Sequence, residues 1–523
     1  MDMIKLKELH QHAIQKMNTG NFNGALNLTR KMQGLGPHYF VSYITSGLLI
    51  DIGSALGEEK VVNEGVESLK KDLEEIIQNK KIASTAYYNL ANGYHSLFNF
   101  KYRKDRYVKC FKETELNQAK IYYRKALEYP IKDKLFASRL WTNLGNCFDQ
   151  VGRVIEALDC YEEALREKPD HGMALGNKGL ALLHYASLAG EHQGTFLIEA
   201  YSLLSQALNL GVDPEAQGIF TRHLQNIKNR FHGKRFLDNS LKYPGCKIKA
   251  KSKFEKFLIE FCLRNKLYLN ICNFCQKCDA AIGDTVVIKK MLIPIIKGNG
   301  KVFPENDPYL RLSSYLNQIK QDYVIARFLL ILSRYRGLNL NFADKRVTII
   351  DTLDYSMHNV YIELVKASSK NFYDILDKIA YFINDYLKLG IDEKKISFQR
   401  VWFCKDKTVR KKIDDTKNFS LNALFDLHKD IEDGPYDELR KIRNALTHRF
   451  INVRMFQVKE NEENMTEDTL VKQTLELAKL VRNAIIYLLY FVYVEEDKKE
   501  AKSKEISVPM YAQELPDNLK SNR

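Results

Sequence analysis

The sequence predicts an all-α protein, an N-terminal α-solenoid of paired helices followed by a C-terminal helical bundle. Three observations carry this. Asn143 and Asn177 stand 34 residues apart, as do Gly145 and Gly179, and a period of 34 is that of stacked helix-turn-helix units. Only 11 of 523 residues are Pro, which favours long regular elements. From about residue 356 onward, apolar residues recur at helical spacing.

The solenoid is expected over 1–235. Its clearest unit starts at "LWTNLGNCF", where Trp141, Leu144, Gly145 and Phe148 share one helix face. Ala157, Tyr161 and Ala164 share a face of the next helix, and Pro169 follows. Small residues let paired helices approach, and large ones fill the space between pairs. In the preceding unit Tyr123 and Ala126 take the second-helix places after a basic, aromatic insert within 95–118. In the following unit Ala200, Leu204 and Ala207 do so, and Met17–Met32 reads as a further turn and helix. These residues resemble the tetratricopeptide repeat position by position. The resemblance implies a concave surface for a peptide or protein ligand or for another copy of the chain.

A polar, basic stretch from Lys228 to Phe257, with a turn at Pro244-Gly245, ends the periodic part. Residues 236–355 are expected to be a basic linker and a helical extension of the bundle, 356–495 the bundle itself, and 496–523 a charged, mobile tail. Within the bundle, Asn371–Gly390 reads as a long helix with a glycine cap. A shorter helix is opened by Ser420 and stopped at Gly434-Pro435. A last helix is capped by Thr466 and has an almost wholly apolar second half.

Composition narrows the partners. Hydrophobic residues make up 45% of the chain, enough for sizeable cores. Lys plus Arg outnumber Asp plus Glu by 80 to 65, a formal charge of +15 that favours acidic partners, most simply nucleic acid. The first residues are charged throughout and do not read as a signal peptide, and nine cysteines is an odd number, so reduced thiols and a cytoplasmic location are expected. The longest apolar run, Asn483–Val494, is too short to span a bilayer and reads as a buried helix, so no membrane partner is expected. Cys272, Cys275 and Cys278 have the C-x2-C-x2-C spacing that can hold zinc or an iron–sulfur cluster. A closed zinc site needs a fourth ligand, and no second pair exists, so neither a metal nor a cofactor is expected.

The stretch "DELRKIRNALTHRF", Asp437–Phe450, concentrates polar chemistry. With Arg443 at zero on a helix, Arg440, Thr447, Asn444 and His448 fall at roughly 60°, 40°, 100° and 140°, and Leu439, Leu446, Ile442 and Ala445 at roughly −40°, −60°, −100° and −160°. One side is apolar, and the other offers two guanidiniums, a hydroxyl, an amide and an imidazole. The same Arg-x4-His spacing recurs at Arg166 and His171, where Pro169 interrupts the helix, and no role is assigned there.

The residues Arg443, Asn444 and His448, together with "DILDKIAYFINDYLKLG" and "KKISFQRVW", resemble the HEPN superfamily, in particular a prokaryotic branch in which such a domain follows tetratricopeptide repeats. Many HEPN members are ribonucleases with an Arg-x4–6-His motif. The resemblance implies metal-independent endoribonuclease activity in a toxin-like effector, with defence against phage as one role and tRNA as one substrate. The residue types suit it. A histidine can take the proton of the RNA 2′-hydroxyl or protonate the departing 5′-oxygen, and an arginine can fork onto the phosphorane oxygens. Arg443, Asn444 and His448 are the expected catalytic residues. Arg440, Thr447, Arg449, Lys411 and Lys412 are expected to bind RNA. One chain offers one such His, so a homodimer or higher homo-oligomer is the expected catalytic unit.

Two further readings stay open. The basic segment Lys394–Lys412, with Phe398, Trp402 and Phe403 interleaved, suits single-stranded RNA, or else those aromatics are core. Asp377 and Asp385 either assist at the site or are solvated helix carboxylates. Phe450 stands where some HEPN toxins carry a tyrosine that a partner nucleotidyltransferase modifies, so control by adenylylation is not expected here. The rival function is a non-catalytic adaptor that binds protein partners, nucleotide or RNA.

Overall fold

The computed structural model describes residues 3–36, 38–102, 114–188, 193–231, 247–274, 279–288, 291–294, 308–432, 434–456, 464–502, 507–510 and 515–520. The expected boundary near 235, the Pro244-Gly245 turn, Cys275, Cys278 and the middle of the basic insert lie outside them. The chain divides into two compact units, Met1–Ser240 and Leu241–Arg523.

The first unit is a run of helices: α1 (Met3–Asn18), α2 (Phe22–Gln33), α3 (Tyr39–Leu56), α4 (Glu59–Lys71), α5 (Leu73–Gln78), α6 (Lys80–Tyr102), α7 (Glu115–Leu127), α8 (Lys134–Gln150), α9 (Val154–Glu167), α10 (Gly172–Leu188), α11 (Gln193–Leu210) and α12 (Pro214–Arg230). Helices pack as pairs, α3 on α4, α6 on α7, α8 on α9 and α10 on α11, and each pair packs on the next. The α8–α9 pair follows from Gly145, where an added Cβ would meet the Tyr161 ring at 2.7 Å. Leu144, Phe148, Ala157, Tyr161 and Ala164 are buried, as are Tyr123 and Ala126 in α7 and Ala200, Leu204 and Ala207 in α11. The period-34 asparagines tie neighbouring pairs together. Asn143 Nδ2 donates to Asn92 Oδ1 at 3.1 Å, and Asn177 Nδ2 to Asn146 Oδ1 at 2.8 Å. Asp213 caps α12 by accepting from the Ala216 N–H, and Pro214 follows in the first turn, where its missing N–H costs nothing.

The second unit holds α13 (Lys253–Arg264), α14 (Pro308–Arg334), α15 (Val360–Tyr386), α16 (Phe419–Glu432), α17 (Asp437–His448) and α18 (Glu467–Lys502). α14 lies along α15, α18 packs on both α15 and α16, and α17 rests on α15, α16 and α18. β1 (Met291–Pro294) pairs antiparallel with β4 (Ser507–Met510), and β2 (Asn452–Arg454) pairs parallel with β3 (Asn464–Thr466). A buried polar knot joins the segment after α13 to the bundle. Arg327 holds Asp284 with two hydrogen bonds of 2.8 and 2.7 Å, and Arg482 Nε donates to the Tyr268 carbonyl at 3.2 Å.

Three elements differ from the sequence expectation. The helix expected from Asn371 begins at Val360, capped by Asn359, and ends at Tyr386 rather than at Gly390. α16 is capped by Asn418, whose Oδ1 accepts from the N–H groups of Ser420 and Leu421, so Ser420 is helical. The expected tail from 496 instead extends α18 to Lys502, because Glu496 is buried against Tyr386, whose hydroxyl donates to it at 2.7 Å, and Ser507–Met510 adds a strand to β1. For Trp402 and Phe398, where the sequence leaves stacking platform and core both open, the structure gives core: both are fully or almost fully buried against Phe425 and His428. Thr466 does cap α18, its Oγ1 accepting from the Thr469 N–H at 3.2 Å. By length and composition α3 and α18 would each suffice to cross a membrane; the apolar window of α18 is 72% buried, as in a core helix.

Candidate active site

The site is built on α17. Leu439, Ile442 and Ala445 are buried and turn that face to the bundle. The opposite side therefore points outward, as the two-faced pattern requires. Arg443 is half-buried and held from three directions. Its Nη2 lies 3.5 Å from Asp377 Oδ2 on α15, its Nη1 donates to Asn444 Oδ1 at 3.2 Å, and its guanidinium lies 5.3 Å from the centre of the Tyr373 ring. Its Nε is buried and makes no hydrogen bond among the described residues. Asp377 is fixed in turn by the Phe398 N–H, which donates to its Oδ1 at 2.9 Å.

Burial raises the Asp377 carboxyl above its ordinary value, while the Phe398 N–H and Arg443 pull it down. Burial also raises Asp374, one turn earlier on α15, against the opposing pull of Arg443, Lys370 and Lys378.

His448 ends α17 and is exposed, beside exposed Thr447, Arg449 and Phe450. The Arg449 N–H closes the helix by donating to the Ala445 carbonyl at 2.9 Å. Arg440 is bound to Asp437 on its own helix, Nε to Oδ1 at 3.0 Å, and that bond raises its already high pKa. Lys411 and Lys412 sit in a short helical turn, Lys411–Asp414, where Lys412 Nζ donates to the Lys388 carbonyl. The structure therefore joins Arg443 to Asn444 in the middle of α17, leaves His448 open to solvent at its end, and sets Lys411 and Lys412 on another segment.

Of the two carboxylates considered from sequence, Asp377 joins the site. Asp385 does not, because Arg311 on α14 holds it at 2.7 and 2.9 Å. Tyr373 and Asp374 had no sequence signal; they share the Asp377 face of α15 through i, i+3 and i+4 spacing, which becomes legible only once Asp377 is placed. At the second Arg-x4-His, Arg166 pairs with Glu163 and His171 Nδ1 lies 2.7 Å from Ser138 Oγ, with the end of α9 between them. Among the described residues no group of three or more His, Cys, Asp or Glu could hold a metal. Cys272 is buried.

Residues 304–495 match the LA2681-like HEPN family, and residues 138–171 match the tetratricopeptide repeat. No curated protein matches the chain. Among solved structures, TTC0263, a thermophilic TPR protein of Thermus thermophilus, is 17% identical with a TM-score of 0.33, over 42% of this chain and 99% of that one. MamA is 21% identical with a TM-score of 0.26, over 40% of this chain and 95% of its own. The human IFIT1 dimer with m7Gppp-AAAA is 11% identical with a TM-score of 0.21, over 75% of this chain and 96% of that one. The second unit thus carries an LA2681-like HEPN domain at 304–495, and the helix pairs of the first include a tetratricopeptide repeat at 138–171.

Proposed function

We propose that the protein is a cytoplasmic, metal-independent endoribonuclease whose repeat region regulates it through a bound protein or peptide. The observation that carries the reading is the contrast along one helix: Arg443 is fixed by Asp377, Asn444 and Tyr373, while His448, at its end, is exposed. An imidazole takes the proton of an RNA 2′-hydroxyl, and the freed oxygen attacks the adjacent phosphorus. The bond to the 5′-oxygen breaks, and a second imidazole protonates that oxygen. The products are a 2′,3′-cyclic phosphate and a 5′-hydroxyl. Arg443 stabilises the charge on the phosphorane.

The second imidazole comes from a second copy of the chain. A surface for that copy adjoins the site. Val347, Ile349, Ile350, Leu353, Tyr355, Phe450, Met455 and Phe456 are all exposed apolar side chains, with Leu353 83% and Phe450 85% accessible. The strap carrying the first five is tied to the chain leaving α17. The Met357 N–H donates to the Val453 carbonyl at 2.7 Å, and the Met455 N–H to the Tyr355 carbonyl at 3.1 Å. Leu353 and Tyr355 are held at φ of 55° and 59° in a turn closed by Asp351, whose Oδ1 accepts from the Leu353 N–H at 2.9 Å. Side chains of this kind offer on the order of 1,000 Å² per copy, against the roughly 800 Å² per partner of a standard interface.

The adaptor reading has one observation in its favour: Arg443 is already paired with Asp377, as a structural arginine would be. The two separate on incubating the purified full chain with total RNA in the presence of a chelator. Discrete fragments support the nuclease. RNA left intact by a chain that is dimeric at the assay concentration supports the adaptor.

A further inference from the structure

Between the turn after α15 and the segment ahead of α16 lies a cleft of about 630 Å³, walled in part by Gln399, Arg400, Phe403, Lys405 and Arg410. That volume falls within the roughly 300–1,000 Å³ of small-ligand sites. Its lining is net positive, with Lys395, Arg400, Lys405 and Arg410 against the one carboxylate Asp392. Arg400 and Lys405 are exposed, and neither has an ion-pair partner among the described residues. Arg410 gives only its Nε, to the Val401 carbonyl at 3.0 Å, leaving its Nη atoms for another acceptor. Of the wall's cations, Lys395 alone faces a carboxylate among the described residues, Asp392 at 3.9 Å. A concave wall of net positive charge draws an anion toward it.

The cleft is also built in advance. Fully buried Trp402 anchors a short hairpin in which the Cys404 N–H donates to the Thr408 carbonyl at 2.8 Å and the Arg410 N–H to the Trp402 carbonyl at 2.9 Å. Phe403 is half-buried on that hairpin, its ring set against Phe425 and His428 with centroids 5.7 and 5.8 Å apart. The cleft is joined to the candidate active site by one residue. Phe398 donates to Asp377, the partner of Arg443, and the next residue, Gln399, lines the wall.

We propose that this cleft is a subsite for a phosphorylated nucleotide unit of the RNA strand. Arg400, Lys405 and Arg410 hold the phosphate, and Phe403 bounds the base. The choice of a strand over a free nucleotide rests on the nuclease reading; the phosphate chemistry does not. Arginines suit it because a guanidinium forks onto two phosphoryl oxygens.

The test uses the full chain carrying His448→Ala, so that binding is read without turnover. A fluorescein-labelled single-stranded oligoribonucleotide and ADP are titrated against this protein, against the same protein with Arg400→Ala/Lys405→Ala, and against a control with Lys60→Ala/Lys81→Ala, which changes exposed charge in the first unit. RNA affinity is expected to fall about tenfold or more in the cleft variant alone, and the slope of log affinity against log salt to fall by about 1.4 for two lost phosphate contacts. Unchanged RNA binding in the cleft variant, or equal loss in the control, overturns the proposal. Loss toward ADP alone overturns the assignment to a strand. Cleavage by the wild-type chain is scored separately. Intact cleavage with an unaffected cleft variant defeats only the subsite, and absent cleavage with weakened binding defeats only the nuclease.

Discussion

Asp377 Oδ2 on α15 lies 3.5 Å from Arg443 Nη2 on α17, so a carboxylate of one helix sets the guanidinium of another. Because the pair is about a quarter exposed on each side, its worth in stability is small; its worth in placing a charge is larger. Asp377→Ala is therefore expected to lower kcat for RNA cleavage by about tenfold, with KM changed much less, as a misplaced catalytic group does. Asp377→Asn, which keeps an acceptor for the Phe398 N–H, is expected to retain part of the activity. Steady-state kinetics on a defined oligoribonucleotide check both.

The apolar strap supplies a second expectation. Leu353→Asp/Phe450→Asp is expected to shift the chain from dimer to monomer in sedimentation velocity and to abolish cleavage, with far-UV circular dichroism unchanged because both side chains are exposed in the single copy. A dimer that survives the substitution assigns this surface to another protein.

In the solenoid, Gly145→Ala forces a Cβ toward the Tyr161 ring, with 2.7 Å between them before relaxation. Overpacking of this kind costs about 1–3 kcal/mol. Urea denaturation is expected to show that loss, with α8 and α9 separating first.

Acid sensitivity has a named source. His428 is enclosed by Trp402, Phe398, Phe403 and Phe425. Burial, helped by Lys429, lowers its pKa from 6.5 to about 3. The unfolded chain therefore takes up this proton first. The stability that neutral His428 confers is complete above pH 6.5 and is lost as pH falls toward 3, at roughly 1 kcal/mol per pH unit. His428→Leu is expected to flatten the fall of stability across that window relative to wild type.

Much of the fold was legible because it is periodic. The 34-residue recurrence set Asn143 in line with Asn177 and Gly145 in line with Gly179, and helical spacing separated the two faces of α17. What was not legible depends on distant partners. Asp377 looks like any solvated helix carboxylate until α17 brings Arg443 to it. The charges after 495 read as a tail, since nothing in their local spacing shows that Glu496 is buried against Tyr386. Trp402 among lysines reads equally as a stacking platform or as core, and only packing decides. Asn418 and Ser420 are both capping residue types two positions apart, and the hydrogen bonds chose the first.

The most direct measurement is the chemistry of RNA ends left by wild type and by His448→Ala in the presence of a chelator. Wild type is expected to leave 2′,3′-cyclic phosphates and 5′-hydroxyls, and the variant, still dimeric, to cleave about 10²- to 10⁴-fold more slowly. Undiminished cleavage by the variant, or 5′-phosphate ends from wild type, would contradict a mechanism that passes the proton through His448.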